Sequence, residues 1–345
     1  MTDLGVWTDN FSGSVVKLCV IPTTPSGYDC ENNTAYFNVT LGDGPAYVFR
    51  QEGTGPFIPV SGVDARLTFN GGVWTLTTHD GTTATYGWQA VGSPYSGPAP
   101  EGFDQDAVGA IQSLTRPNGE TLSFHYRTAY GCCGKTLASV FSNFGYQVYF
   151  EYFNDASARM SRAVVLNNAE AYCDPGVPTC VLSGAWPQLT FEENGAESAV
   201  TDALGRTTRY FRSKSPSNRP VDRLTGIRRP DRPNGLSVSL TYRGGPSNRP
   251  YAYRTVATID HGNGAWTYSG GSPTFTVTDP LGNVSTYEIA RTGGLGGNAL
   301  VTTSQNFRRI VDAVGNETLF TYDHIPDFGP RLTSVRMPEG DKVAL

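Results

Sequence analysis

No apolar run in this chain approaches the roughly 20 residues that a membrane-crossing helix needs. The N-terminus, Met1 to Phe11, lacks the basic and apolar regions of a secretory signal. Charge is scarce as well: charged residues make up 17% of the chain and the net charge is -5. Nucleic-acid partners select a basic stripe. The most basic stretch, Arg206 to Arg232, is interrupted by Pro216, Pro220, Pro230, Asp222 and Asp231 and reads as a solvated loop face. These absences exclude a helical membrane span and argue against nucleic acid as a partner.

The usual catalytic signatures are missing too. Histidine is limited to His79, His125, His261 and His324. Three adjoin an aspartate, as His79–Asp80, Asp260–His261 and Asp323–His324. Neighbours on a strand point to opposite faces, so such pairs do not make a base and its orienting carboxylate. There is no G-x-S-x-G elbow and no H-E-x-x-H. The Gly293–Asn298 stretch is glycine-rich but lacks the Lys-Ser/Thr of a P-loop. Asp104, Asp106, Glu192 and Glu193 supply carboxylates, yet most fall in expected turns, and a glycosidase pair needs a set separation across a cleft. The expectation is no enzyme: no catalytic residue, no cofactor and no metal site.

Cysteine gives a mixed signal. The chain has Cys19, Cys30, Cys132, Cys133, Cys173 and Cys180. No C-x-x-C and no His pair four apart provides zinc spacing. Cys19 and Cys30 flank a Pro/Thr/Gly-rich turn, and Cys173 and Cys180 flank DPGVPT, so each pair reads as a closed surface loop. Cys132 and Cys133 stay unassigned, and inert thiols remain the alternative reading. Disulfides imply an oxidising compartment.

What the chain has in quantity is turn formers and aromatics: 40 Gly, 23 Pro and 12% Phe, Trp and Tyr. Both favour strands joined by tight turns. One pattern recurs. After a turn glycine, the fifth and seventh residues are Phe124 and Tyr126 (from Gly119), then Phe150 and Tyr152 (from Gly145). They are Tyr210 and Arg212 (from Gly205), Leu240 and Tyr242 (from Gly235), Tyr287 and Ile289 (from Gly282), and Phe320 and Tyr322 (from Gly315). The fifth position is aromatic in five of six units, against a 12% background.

The turns are of two main kinds. Asp202 to Gly205, Asp279 to Gly282 and Asp312 to Gly315 read D-x-x-G. Pro117-Asn118-Gly119, Pro233-Asn234-Gly235 and Pro338-Glu339-Gly340 read P-x-G. Asp bonds nearby backbone, Pro presets φ and Gly accepts φ > 0. After the turn, apolar and polar residues alternate, as in Leu236, Val238, Leu240, Tyr242 against Ser237, Ser239, Thr241. That is the pattern of a half-buried antiparallel strand. The strand before the turn repeats Arg-Leu-Thr at residues 66–68, 223–225 and 331–333. A lone hairpin is marginal in water, so the units are expected to stack into a shared sheet. Aromatics at fixed offsets then read as packing residues, and exposed rows of them as the competing binding reading. The sequons at Asn10, Asn32, Asn38, Asn283 and Asn316 read as incidental in a bacterial source.

DALGRTTRY from Asp202, DPLGNVSTY from Asp279 and DAVGNETLFTYD from Asp312 resemble the RHS/YD-repeat family. Tyr322–Asp323 matches the YD pair, and Gly329 with Arg331-Leu332-Thr333 matches the family's G-R-L-T. The resemblance covers about residues 104–345. Residues 1–103, with Leu4–Phe11, Ala46–Gln51 and Trp74–Trp88, look like the irregular β segment that precedes such repeats, as if the chain begins inside a family pattern. The resemblance implies a continuous, curved sheet of stacked antiparallel β-hairpins, with little or no helix, that builds a hollow shell. It implies a secreted or cell-surface bacterial scaffold that encloses or displays another polypeptide, such as a toxin domain. Its partners would be further repeats or a C-terminal effector polypeptide. An extracellular module binding glycans or proteins at a cell surface is the alternative. The long cysteine loop at Tyr172–Val181 and the Gly293–Asn298 insertion depart from a regular repeat, and the last unit stops at Leu345.

Overall fold

The computed structural model describes residues 14–19, 35–41, 46–60, 64–88, 108–128, 135–154, 159–213, 223–243, 256–271, 273–291, 305–325 and 329–344. Among these residues the chain is all-β, with 25 strands and no helix. The strands are β1 (Ser14–Cys19), β2 (Ala35–Thr40), β3 (Ala46–Gln51), β4 (Ile58–Pro59), β5 (Ala65–Asn70), β6 (Val73–Thr78), β7 (Thr83–Trp88), β8 (Val108–Thr115) and β9 (Thr121–Thr128). They continue with β10 (Lys135–Ser142), β11 (Tyr146–Tyr152), β12 (Met160–Asn167), β13 (Gln188–Asn194), β14 (Glu197–Thr201), β15 (Thr207–Ser213), β16 (Arg223–Arg228) and β17 (Val238–Tyr242). The last are β18 (Val256–Asp260), β19 (Ala265–Gly271), β20 (Thr274–Thr278), β21 (Val284–Arg291), β22 (Gln305–Val311), β23 (Glu317–Ile325), β24 (Gly329–Arg336) and β25 (Lys342–Ala344). Sequence neighbours pair antiparallel, as expected of stacked hairpins.

The hairpin turns follow the expected chemistry at most positions. Gly119, Gly145, Gly205, Gly282 and Gly315 all have φ between +76° and +92°, where a Cβ is costly. Gly235 is the exception. Its φ is not in the left-handed range, although its amide still donates to the Arg232 carbonyl at 3.3 Å. The Pro233-Asn234-Gly235 turn closes without the backbone conformation that only glycine adopts readily.

The chain divides into two compact units, residues 1–193 with 199–207, and residues 194–198 with 208–345. The boundary expected at 103/104 falls within residues 89–107, outside the described residues.

In the first unit β8 organises the packing. It pairs with β7 from Gly109 to Thr115, which occupies one edge. The other edge is divided: Ser113–Thr115 pair with β9, and Val108–Ala110 pair with β1. β1 also pairs with β2, and β2 with β3. β8 and β9 therefore part beyond Ser113, and the β1–β3 strands come to lie over the apolar face of the repeats. One core joins Val15, Phe37, Val39 and Phe49 to Tyr86, Ile111, Phe124, Leu137, Val140, Phe150 and Met160. Each is at most 7% exposed, so each large side chain contributes on the order of 1.5–3 kcal/mol of burial. The phenol of Tyr86 donates to the Thr40 carbonyl at 3.1 Å, tying β7 to β2.

In the second unit the same alternation continues. Residues that pair in register share a face. One face carries Ile227, Val238, Leu240, Ile259, Phe275, Val277, Tyr287, Ile310, Phe320 and Val335. The opposite face carries hydroxyls and charges, with Thr241 bonded to Thr258 and Ser269 to Thr276, each at 2.6 Å. Among the described residues of this unit, only Val238 of the apolar face is fully buried; most of the rest are half-buried and Phe307 is 42% exposed.

Candidate functional site

The repeats carry a feature that a strict two-residue alternation hides. In all six units the ladder slips by one residue between the sixth and seventh positions after the turn glycine. The extra residue always lies on the following strand: Ala138, Ser161, Thr225, Ala257, Arg308 and Thr333. Between β7 and β8 the extra residue is Gln112. Each is a β-bulge, which bends its strand and raises the local twist.

The bulge sets the apolar spacing of the return strand. Because one residue is set aside, side chains three apart share the apolar face. The pairs are Ile111 and Leu114, Leu137 and Val140, Met160 and Ala163, Leu224 and Ile227, Val256 and Ile259, Phe307 and Ile310, and Leu332 and Val335. Every member is apolar. That spacing of three is in the sequence, and a search for alternation alone passes over it.

The bulge also explains two of the Arg-Leu-Thr motifs. Thr225 and Thr333 are the extra residues themselves. Their hydroxyls donate to the carbonyls of Phe211 at 3.2 Å and Thr321 at 3.1 Å, the sixth-position residues across the ladder. A carbonyl left by the irregular pairing is thus satisfied. The third match, Arg66-Leu67-Thr68, lies in β5, whose pairing with β6 is regular, and does not share this role.

The seventh-position tyrosines link successive strands. Tyr126 donates to the Ile111 carbonyl at 2.9 Å, Tyr152 to Leu137 at 2.6 Å and Tyr242 to Leu224 at 2.6 Å. In each case the acceptor is the first apolar residue of the three-spaced pair. Arginines cover some of these rings: Arg127 lies 4.6 Å from the Tyr152 centroid and Arg223 5.3 Å from that of Tyr242. Burial raises the phenol pKa of Tyr86 well above its usual value, and it raises that of Tyr242 too.

The fifth-position residues sit at two depths. Phe124 and Phe150 belong to the buried core of the first unit, at 7% and 3% exposure. Tyr210, Leu240, Tyr287 and Phe320 are half-buried. In the second unit the rings form a row: Phe275 stacks on Tyr287 at 4.9 Å, Tyr287 meets Phe307 at 5.9 Å, and Phe307 meets Phe320 at 6.4 Å. Tyr322, at a seventh position, is half-buried, with its phenol pKa raised by burial.

The turn aspartates are structural acceptors. Oδ1 of Asp279 accepts from the amides of Leu281 and Asn283, both at 2.8 Å, and Oδ2 from the Asn283 side chain at 2.8 Å. Asp312 repeats this arrangement with Val314 and Asn316, and Asp202 with Leu204 and Arg206. The Arg206 side chain first, then backbone amides, hold the Asp202 carboxyl below its usual range. The Asn283 side chain leads for Asp279. At Asp312 desolvation is the largest single influence and opposes the shift, but the bonds from Asn316, Val314 and Gly315 together outweigh it.

The candidates for chemistry are dispersed. His79, His125 and His261 are exposed, and the His125 ring packs edge-on against Phe141 at 5.0 Å. Asp80 is taken up by Thr78 and Thr82. Glu193 pairs with Arg159 at 2.8 Å, while Glu192 is exposed. Asp104 and Asp106 lie outside the described residues. Among the described residues no cluster of three His, Cys, Asp or Glu could hold a metal ion, and no helix is long and apolar enough to cross a membrane. Four described arginines of the basic stretch have internal partners: Arg206 with Asp202, Arg209 with Glu197, Arg212 with Ser198 and Arg228 over Phe211.

Cys173 and Cys180 are joined in a disulfide with Cα atoms 5.7 Å apart. Cys30, Cys132 and Cys133 lie outside the described residues, and with Cys30 the expected Cys19–Cys30 pairing.

No family model matches the chain, and no curated protein matches it. Among solved structures it is similar to a porin-like protein from Bacteroides uniformis, at 9% identity and a TM-score of 0.24, over 76% of this chain and 91% of that one. It is also similar to the Tc holotoxin pore of Photorhabdus luminescens, at 11% identity and a TM-score of 0.31. That match covers 96% of this chain, which spans only 19% of the neighbour's length. At these TM-scores the functional reading rests on the chain's own geometry.

Proposed function

We propose that this chain is a non-catalytic wall segment of an RHS/YD-type β shell, a secreted or surface scaffold that encloses or displays another polypeptide such as a toxin domain. The observation that carries this reading is the bulge at one fixed place in six hairpins, each returning an apolar pair to one face. A unit that repeats its irregularity as faithfully as its regular pairs is built to be added in series. The tyrosine-to-carbonyl bonds that tie one strand to the next support the same role. The turn aspartates and most described arginines are committed to holding shape, which suits a scaffold better than a reaction centre.

The test is the coding sequence on both sides of this reading frame. The wall reading expects further hairpins with apolar pairs three apart, leading toward a distinct C-terminal domain. True start and stop signals at both ends, with no such pairs beyond, would overturn it.

One observation favours a second reading. The row Phe275, Tyr287, Phe307 and Phe320 is partly open to solvent, and rows of rings bind glycans or proteins. A glycan array decides here: selective binding lost in Phe307→Ala supports a binding module, and a blank array counts against the glycan form of it.

A further inference from the structure

The β11 and β12 strands of the first unit carry buried side chains on both faces. Val148, Phe150 and Tyr152 point into the main core, while Gln147, Tyr149 and Glu151 point to the opposite, otherwise polar, face. There the Ala171–Leu182 segment lies over a second cluster of Tyr149, Val164, Leu166 and Cys173, with Trp186 at its margin. Tyr149 and Val164 are fully buried beneath it.

The segment is held at its two cysteines. The buried Gln147 amide clamps Cys173, accepting from its N–H at 3.1 Å and donating to its carbonyl at 2.6 Å. Glu151 accepts from the Cys180 N–H at 2.9 Å, and Arg162, itself paired with Glu151 at 2.6 Å, donates to the Cys180 carbonyl at 2.9 Å. Between them the Tyr149 phenol donates to Val177, and Arg127 donates to Pro178 at 3.2 Å. Gln147 and Glu151 are four residues apart on an extended strand, on the order of 13 Å. The Cα atoms of the two cysteines they hold are 5.7 Å apart across the disulfide.

We propose that the Cys173–Cys180 disulfide is a redox latch: it keeps the 171–182 segment shut over Tyr149, Val164 and Leu166, and its reduction uncovers an apolar patch on the polar face of the sheet. Cys180 is partly exposed and Cys173 is fully buried, so a thiolate reductant enters at the Cys180 sulfur. The S–S bond breaks, Cys173 leaves as thiolate and takes a proton, and a mixed disulfide forms on Cys180. The second thiol of a dithiol reductant then closes its own disulfide and releases Cys180 as a thiol. Two electrons and two protons pass from the dithiol to the two cysteines. Burial makes the Cys173 thiolate a poor leaving group, so exchange at Cys180 is slow. The chain therefore completes this face only where thiols are oxidised.

Hydrogen exchange with mass-spectrometric readout, on the whole chain with and without a dithiol, tests this. Exchange across 171–182 and at Tyr149 and Val164 should accelerate by about tenfold or more on reduction, with cleavage by added protease appearing between Asp174 and Val181. Residues 256–344 should be unchanged, which reports that the fold persists. The other cysteines also meet the reductant, so a Cys173→Ser, Cys180→Ser double variant should reproduce the change without any dithiol. Unchanged exchange across 171–182 in the reduced wild-type chain would overturn the latch, even if the double variant fails to fold.

Discussion

The phenol of Tyr152 donates to the carbonyl of Leu137 at 2.6 Å, and Leu137 itself lies opposite Tyr126, whose phenol donates to Ile111 at 2.9 Å. Each tyrosine thus spans its own hairpin and grips the strand behind it. Tyr242 and Leu224 repeat the contact in the second unit. Tyr152→Phe and Tyr242→Phe should each cost about 1 kcal/mol or somewhat more, since the ring stays and one acceptor loses its partner. Urea unfolding of the two variants checks this. A neutral result in both would make the tyrosine ladder incidental.

The bulge residues predict that substitution and deletion have similar effects. Thr333→Ala removes one hydroxyl bond and should cost about 1 kcal/mol. Deleting Thr333 leaves Leu332 and Val335 two apart, so both keep the apolar face opposite Tyr322 and Phe320 in a regular ladder, and only the bend of the bulge is lost. The deletion should cost a similar amount, about 1 kcal/mol, with the apolar pair still in place, measured by thermal melting of both variants. A much larger loss on deletion, about 3 kcal/mol, would show that the bend of the bulge, rather than the apolar spacing, holds the strand in place.

This is also where sequence and structure part company. The hairpins, the fifth-position rings and the D-x-x-G turns are legible because alternation and turn chemistry act locally. The bulges are not, because an extra residue is defined only against its partner strand. Their trace is the three-residue spacing of pairs such as Leu224 and Ile227. The cover over the first unit's apolar face is equally non-local: nothing around Phe37 or Phe49 announces that β1 enters beside β8 and brings them above Phe124. Gly235 shows the limit of turn rules, since a P-x-G turn with the expected residues closes without positive φ.

Burial separates the aromatics that look alike in the repeat. Phe124 is 7% exposed and joins the core under β1–β3, so Phe124→Ala should cost about 3–5 kcal/mol. Phe320 occupies the same repeat position but is half-buried, and Phe320→Ala should cost about 1–2 kcal/mol. Guanidinium unfolding of each variant checks the order, and a reversed order would misplace the core.

The turn carboxylates predict an acid limit. Asp202, Asp279 and Asp312 have folded pKa values lowered from the ordinary 3.8. Their stabilising contribution is therefore complete above the ordinary value and is lost as pH falls through each lowered one. Carboxyl titration by NMR should place all three midpoints below that of a free aspartate. Asp279→Asn should remove the acid sensitivity of its own hairpin, read as amide exchange at Leu281 and Asn283. A midpoint at or above 3.8 would contradict the bonding seen at these turns.

The most direct test of the wall reading is protease protection in the complete product of the reading frame, carrying whatever polypeptide follows these hairpins. The account predicts that the following polypeptide survives native digestion, and becomes cleavable only when the hairpin wall is unfolded or opened. Digestion at the rate of the same polypeptide made alone would contradict it.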